Sequence, residues 1–314
     1  MLVDTHCHLN MIIKERSGAP LEAEDIVAAQ HVVADAAAAG VGAIIDSGVN
    51  LVESRNSVAL AKAIDSVWAT VAIHPGDCSA SWRGEFVGIE ELVRDKEQNR
   101  IIGVGECGID RHYPGHDLAC QVDMFRAHIE LALAHDLPVI IHSRDAYDET
   151  LKVLEEYKND LRRGVMHCFA YDRAFTQHVF PLGFVLGIGG VLTYPRNEAM
   201  RELITDVPLD RIVLETDAPF LAPQSKRGQQ NVPKYLPEVA KKLPNLRRLP
   251  SRKSAARRLR LSVESLAHFL RLGKTELPIE IVARGWVRNR ARDVRGRRQK
   301  RKGHRIRSSC RMLR

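Results

Sequence analysis

The chain has 314 residues, is 45% hydrophobic and carries 47 Lys+Arg against 39 Asp+Glu, a formal charge of +8. The charge is split: residues 245–314 hold 23 basic and 4 acidic side chains, a net of +19, so the residues before them carry a net of −11. This composition excludes wholesale disorder, the absence of any run of 18 apolar residues excludes a membrane-spanning helix, and the length suits one α/β barrel of roughly 250 residues plus an appendage.

The first ten residues hold Asp4, His6 and His8 where a secretion signal would need a basic and then an apolar stretch. Apolar β-rich runs follow one another at Leu2–Leu9, Val41–Gly48, Val67–His74, Ile101–Ile109, Pro138–Ser143, Gly164–Phe169, Phe184–Gly190 and Arg211–Ala218. They are continuous rather than alternating, as expected of parallel strands covered on both faces. Helical patterns lie between them at Ala23–Gly40, Leu51–Ile64, Leu118–Asp136, Ala146–Tyr157 and Asn197–Asp206; in the third of these, Val122, Phe125, Ile129 and Ala132 recur every three or four residues. Gly40 stands where a helix commonly closes in a left-handed residue. Eight β-runs separated by helices predict a TIM (β/α)8 barrel over residues 1–243. The closing helix is expected at Lys234–Leu243, starting at Pro237 or later, or at Ser262–Arg271; residues 244–280 are that uncertain closing region, and residues 281–314 read as a basic, disordered extension. Cys7, Cys78, Cys107, Cys120, Cys168 and Cys310 show no paired spacing and read as reduced thiols of a cytoplasmic protein.

Polar residues cluster at the ends of these runs. His6 and His8 end the first, His74 the third, Glu106 the fourth, His142 the fifth, His167 the sixth and Asp217 the eighth. In a barrel of this kind chemistry sits at the C-terminal ends of the strands. His6 and His8, two apart, share one side of a strand, and Cys7 points away. Imidazoles and carboxylates without thiolate suit Zn²⁺, Mn²⁺, Fe²⁺ or Mg²⁺ at a reactive site. Glu106, flanked by glycines in an apolar strand, is costly to bury without a cation.

The segments Val3-Asp4-Thr5-His6-Cys7-His8, Ile73-His74-Pro75, Gly105-Glu106-Cys107-Gly108-Ile109-Asp110, Ile141-His142-Ser143-Arg144-Asp145-Ala146, Met166-His167-Cys168-Phe169 and Leu214-Glu215-Thr216-Asp217-Ala218-Pro219-Phe220-Leu221-Ala222-Pro223 together resemble the TatD family of metal-dependent hydrolases, within the wider amidohydrolase-like barrels. The resemblance implies two divalent metal ions (Mg²⁺, Mn²⁺ or Zn²⁺), one held by His6, His8 and Asp217, the other by His142 and His167, with Glu106 bridging. It implies a deoxyribonuclease, 3′→5′ exonuclease-like on single-stranded DNA, that cleaves phosphodiester bonds with a metal-activated water and Asp217 as proton acceptor. His74 and Arg144 would contact substrate phosphate; a core histidine and a structural ion pair are the alternatives. Gly187-Ile188-Gly189-Gly190 either offers backbone donors to a phosphate or packs strands tightly. The chain departs from the family at Gly76, where histidine often follows the proline, and at Gln230-Asn231-Val232-Pro233, where the family has Arg-Asn-Glu-Pro.

The basic segment is either a solvated extension, one lying beyond the family's natural end, or an arm making non-specific nucleic-acid contacts. Two other functions compete with the nuclease: an amidohydrolase-type C–N or ester hydrolase, disfavoured because no lysine stands at the strand ends, and a nucleic-acid-binding protein with secondary or lost catalysis.

Overall fold

The structure, a computed structural model, describes residues 1–14 and 18–243. Eight parallel strands pair in sequence order: β1 Leu2–Cys7, β2 Val41–Ser47, β3 Val67–Val71, β4 Ile101–Asp110, β5 Val139–Arg144, β6 Gly164–Met166, β7 Phe184–Ile188 and β8 Ile212–Leu214. A bridge from Cys7 to Ala218 and the bonds Asp217 N–H to His6 O (3.0 Å) and His8 N–H to Ala218 O (2.7 Å) join the last strand to the first. The helices are α1 Leu9–Ile13, α2 Ala23–Ala39, α3 Leu51–Ala63, α4 Trp82–Arg94, α5 Leu118–Ala134, α6 Tyr147–Glu156, α7 Arg173–Val179, α8 Glu198–Asp206 and α9 Leu236–Ala240. The expected (β/α)8 barrel is present.

One residue from each strand meets inside the barrel: Val3, Ile45, Trp68, Ile102, Ile140, Val165, Val185 and Val213. A larger core fills the space between strands and helices. Alternation alone would put Val3 and Cys7 on one side, yet Val3 packs inside and Cys7 in the outer core. The cause is a register irregularity: β1 uses three residues from Asp4 to Cys7 where β2 uses two from Ile44 to Asp46. β4 has the same surplus between Val104 and Cys107. Such bulges re-aim side chains, and here they immediately precede or contain His6, His8 and Glu106.

Local sequence explains the helix ends. Glu22 and Asp25 form a reciprocal capping box on α2, and Gly40, at φ 99°, closes it in the left-handed region that glycine adopts without strain. Asn50, Asp117 and Asp172 cap α3, α5 and α7 through their side chains. Helices α1, α4 and α7 escaped the periodicity reading; α1 and α7 are only five and seven residues long. The expected closing helix at Lys234–Leu243 is realised as the short α9, with Pro237 in its first turn. Residues 244–280 with the alternative helix at Ser262–Arg271, and residues 281–314, lie outside the described residues. No helix among the described residues is long and apolar enough to cross a membrane.

The expectation that every cysteine is a reduced thiol is overturned for one pair: Cys78 and Cys120 form a disulfide across 42 residues of sequence. Their spacing carries no pairing signal; the fold brings the loop after β3 against the start of α5. Cys7, Cys107 and Cys168 are free, Cys310 lies outside the described residues, and the cytoplasmic reading loses its basis in unpaired cysteines.

Candidate metal centre

All seven strand-end residues come together at one mouth of the barrel. Glu106, 3% exposed, presents its two oxygens to different imidazoles. Oε2 lies 3.2 Å from His6 Nε2 and 3.6 Å from His8 Nε2. Oε1 lies 2.8 Å from His142 Nδ1, 3.6 Å from His167 Nε2 and 3.7 Å from His74 Nε2. Asp217 Oδ1 stands 3.5 Å from both His8 Nε2 and His167 Nε2 and 3.9 Å from His6 Nε2. His167 stacks on His6 with ring centroids 3.6 Å apart, so it sits between the two groups rather than wholly in one.

The donor set fits divalent cations. His6 Nε2 and His8 Nε2 face each other at 3.3 Å, close for two ring nitrogens unless a proton or a cation lies between them. Remote ring nitrogens have their own partners: His8 Nδ1–H donates to Ser47 O (3.0 Å), and His167 Nδ1 faces Glu215 Oε1 at 3.2 Å. These partners leave Nε2 directed into the cluster, the arrangement that orients metal-binding histidines. His142 is turned the other way, its Nε2 on Asp110 Oδ2 (3.0 Å) and its Nδ1 on Glu106.

His74 differs. Its Nε2 groups with Glu106 and His142 as closely as a ligand would, but Gly76 N–H donates to its Nδ1 at 2.9 Å. The hydrogen of the neutral ring must then sit on Nε2, which can donate but cannot ligate. Burial, helped by His142, lowers the His74 pKa to about 4 against the pull of Glu106, so the ring is neutral. Arg144 lies on the rim of a cleft of about 1430 Å³ that opens over the cluster, its guanidinium 5.6 Å from the Tyr113 ring centroid.

Burial opposes every charge here, and the neighbours decide the outcome. It lowers His6. Against burial, Asp217 and Glu106 raise His8 to about 9, and Glu215, Glu106 and Asp217 raise His167 to about 10. Glu106 and Asp217 are held below the usual carboxylate range despite burial, first by His167 and then by the other imidazoles.

Surrounding residues hold the mouth in register. Asp4 accepts from Thr216 N–H (2.9 Å) and Thr216 Oγ1 (2.6 Å), fixing His6 relative to Asp217. Asp217 itself is left-handed at φ 57°, a costly conformation for a non-glycine residue, held by the bond from its N–H to His6 O. Asn231 Nδ2 donates to Thr216 O (2.8 Å) and Phe220 O (2.7 Å), so the retained asparagine braces this loop although Val232 stands where the family has glutamate. Gly187 makes room for Glu215: a Cβ there would meet its carboxylate carbon at 2.7 Å, so tight packing accounts for this glycine.

Sequence reasoning did not single out Asp110 or Glu215. Both were within reach of strand alternation: Asp110 lies four residues after Glu106 and Glu215 two before Asp217, each on its partner's side.

The pattern of the TatD-related DNase family matches residues 3–260. The chain is 33% identical over 222 residues to a 3′-5′ ssDNA/RNA exonuclease TatD of Citrobacter rodentium, covering 69% of this chain and 83% of that one. It is 30% identical over 249 residues to the uncharacterized metal-dependent hydrolase YabD of Bacillus subtilis, covering 79% and 92%. The crystal structure of YjjV, a TatD homologue of Escherichia coli, superposes with a TM-score of 0.76 at 27% identity, over 87% of this chain and 98% of that one.

Proposed function

Because the chain belongs to the TatD-related DNase family and is a metal-dependent hydrolase, we propose that it removes nucleotides from the 3′ end of single-stranded DNA. The observation that carries this reading is the division of Glu106 between two imidazole groups beneath an open cleft. His6, His8 and Asp217 would hold one divalent ion, Mg²⁺, Mn²⁺ or Zn²⁺, His142 and His167 a second, and Glu106 both. Bound there, two ions supply charge neutralisation at the phosphate and water of lowered pKa near neutral pH.

The remaining work falls to side chains. Asp217, kept ionised by His167 and His8, takes the proton of the attacking water. His74 Nε2–H donates to a phosphate oxygen. The Arg144 guanidinium, at the rim, receives a phosphate with its planar fork of donors. Asp110 and Glu215 keep His142 and His167 turned toward the cluster. We assign the barrel to residues 1–243, and to residues 281–314 non-specific contacts with the nucleic-acid backbone that would weaken with salt.

Hydrolysis of 3′-labelled single-stranded DNA, tested with Mg²⁺ or Mn²⁺ and again with chelator, checks this reading beside small amides and lactones. Metal-dependent release of 3′ nucleotides is expected. Turnover of an amide or lactone with none of DNA would overturn it, as would chelator-insensitive DNA binding without cleavage.

A further inference from the structure

The segment that carries His74 is tied to α5 at three points. Ile73 N–H donates to His128 Nε2 at 3.0 Å. Gln121 Nε2 donates to Pro75 O at 3.2 Å. Cys78 is joined to Cys120, the residue before Gln121. Gln121 also brackets the end of β4, its Nε2 donating to Asp110 O (3.1 Å) and its Oε1 accepting from Asp110 N–H (3.0 Å). The Asp110 carboxylate in turn meets His142 Nε2. One turn of α5, Cys120–Gln121, therefore sets the position of both His74 and the Asp110–His142 pair.

The three ties differ in character. Gln121 and His128 are fully buried, out of reach of solutes. The cysteine pair is half-buried, as is the free Cys168 in the cleft, whereas the free thiols Cys7 and Cys107 are fully buried. Thiol–disulfide exchange needs a sulfur that solutes can reach, and of the half-buried cysteines among the described residues only this pair is cross-linked, beside the loop that presents His74.

We propose that Cys78–Cys120 is a thiol–disulfide exchange site that governs how firmly His74 is held toward substrate. This rests on the reading of His74 as a donor to substrate phosphate. In the exchange, a low-molecular-weight thiolate attacks one sulfur, the protein S–S bond breaks and a mixed disulfide forms. A second thiolate displaces the protein sulfur, leaving two cysteine thiols after protonation and one small-molecule disulfide. Two electrons pass from the small thiols to the protein; the small-molecule disulfide drives the reverse. Oxidised, the segment is clamped to α5 and the enzyme is at full turnover. Reduced, residues 76–80 relax and Gly76 N–H, which fixes the His74 ring through Nδ1, moves with them, while Ile73 and Pro75 stay tied to α5. Cys78 and Cys120 are thus positioning residues that act through His74.

The test uses the full chain equilibrated with oxidised or with reduced glutathione, beside Cys78→Ser/Cys120→Ser and Cys120→Ala. Peptide mapping without reduction reads the cross-link, hydrogen exchange reads residues 74–80 against the β4 core, and kcat and KM are measured on 3′-labelled single-stranded DNA with Mn²⁺. The oxidised chain should show the cross-link. Reduction should speed exchange over residues 74–80 and leave β4 unchanged. It should lower kcat/KM about tenfold, mostly in kcat, as expected of a misplaced donor. Both variants should behave as the reduced chain in either glutathione state, which also separates the clamp from any effect of glutathione on the metal. Failure of the cross-link to form, or identical exchange and kinetics in both states, overturns the proposal. Absence of DNA hydrolysis in every sample instead overturns the nuclease reading, and the exchange data still decide the clamp.

Discussion

Replacing Gly187 by alanine should damage the centre without touching a proposed ligand. A Cβ at this position meets the Glu215 carboxylate, with its carbon at 2.7 Å and Oε1 at 2.9 Å. Glu215 is fully buried, accepts from Cys168 N–H at 2.6 Å and faces His167 Nδ1; it has no solvent into which to retreat. Overpacking of this kind costs about 1–3 kcal/mol, and loss of a charge-assisted bond to a buried carboxylate adds about 1.5–3 kcal/mol. The expected destabilisation is roughly 3–5 kcal/mol, a fall of about 6–20 °C in Tm for a body of this size, with weakened metal retention as His167 loses its partner. Gly189→Ala is the control: its Cβ meets nothing closer than 3.5 Å, so Tm and activity should stay near wild type. Thermal unfolding and metal content of both variants check the reasoning. Equal tolerance of the two substitutions would refute it, and a loss of DNA turnover confined to Gly189→Ala would restore the glycines as phosphate donors.

Further outcomes follow from the titrating groups and the rim. Burial lowers the pKa of His128 to about 4, from 6.5, although Met124 O favours its charged form. A depressed histidine contributes stability in full above 6.5 and loses it as pH falls toward 4, so about 3 kcal/mol should disappear over that window; urea unfolding of His128→Gln should show a correspondingly shallower pH dependence, and parallel curves would contradict this. His8 at about 9 and His167 at about 10 are protonated at pH 7 before an ion binds, so loading should release protons and metal affinity should rise with pH between 6 and 9. Calorimetry in two buffers of different ionisation enthalpy reads this, and a buffer-independent heat would refute it. Arg144→Ala should raise KM for DNA about tenfold with little change in kcat, the loss of a charged contact at the rim; an unchanged KM would return Arg144 to a structural role.

The strand-end residues were legible because a parallel barrel repeats one rule: a short apolar run ends, and a polar residue at its end faces the mouth, as it does on six of the eight strands. That rule located His6, His8, Glu106, His142, His167 and Asp217 without any long-range information. It could not foresee the bulges in β1 and β4, since a register surplus exists only relative to the neighbouring strand. Strand position alone did not separate His74 from the ligand candidates; the family resemblance did, and the Gly76 N–H bond, which fixes the ring tautomer, supplies the physical reason. The disulfide was hidden because Cys78 and Cys120 meet only after α5 packs beside the β3 loop. α9 was placed approximately from Pro237, whose ring favours a helix start but says little about how far the helix runs.

The reading turns on Glu106 as the residue that would hold both of two divalent cations. Metal content and 3′-labelled single-stranded DNA hydrolysis, measured on the same preparations of wild type and Glu106→Gln, test it most directly. Wild type should carry about two divalent ions per chain. The near-isosteric variant should lose bound metal and fall about a thousandfold or more in kcat/KM, since metal-ion charge stabilisation is worth several kcal/mol. A Glu106→Gln protein that retains its ions and cleaves DNA at the wild-type rate would contradict it.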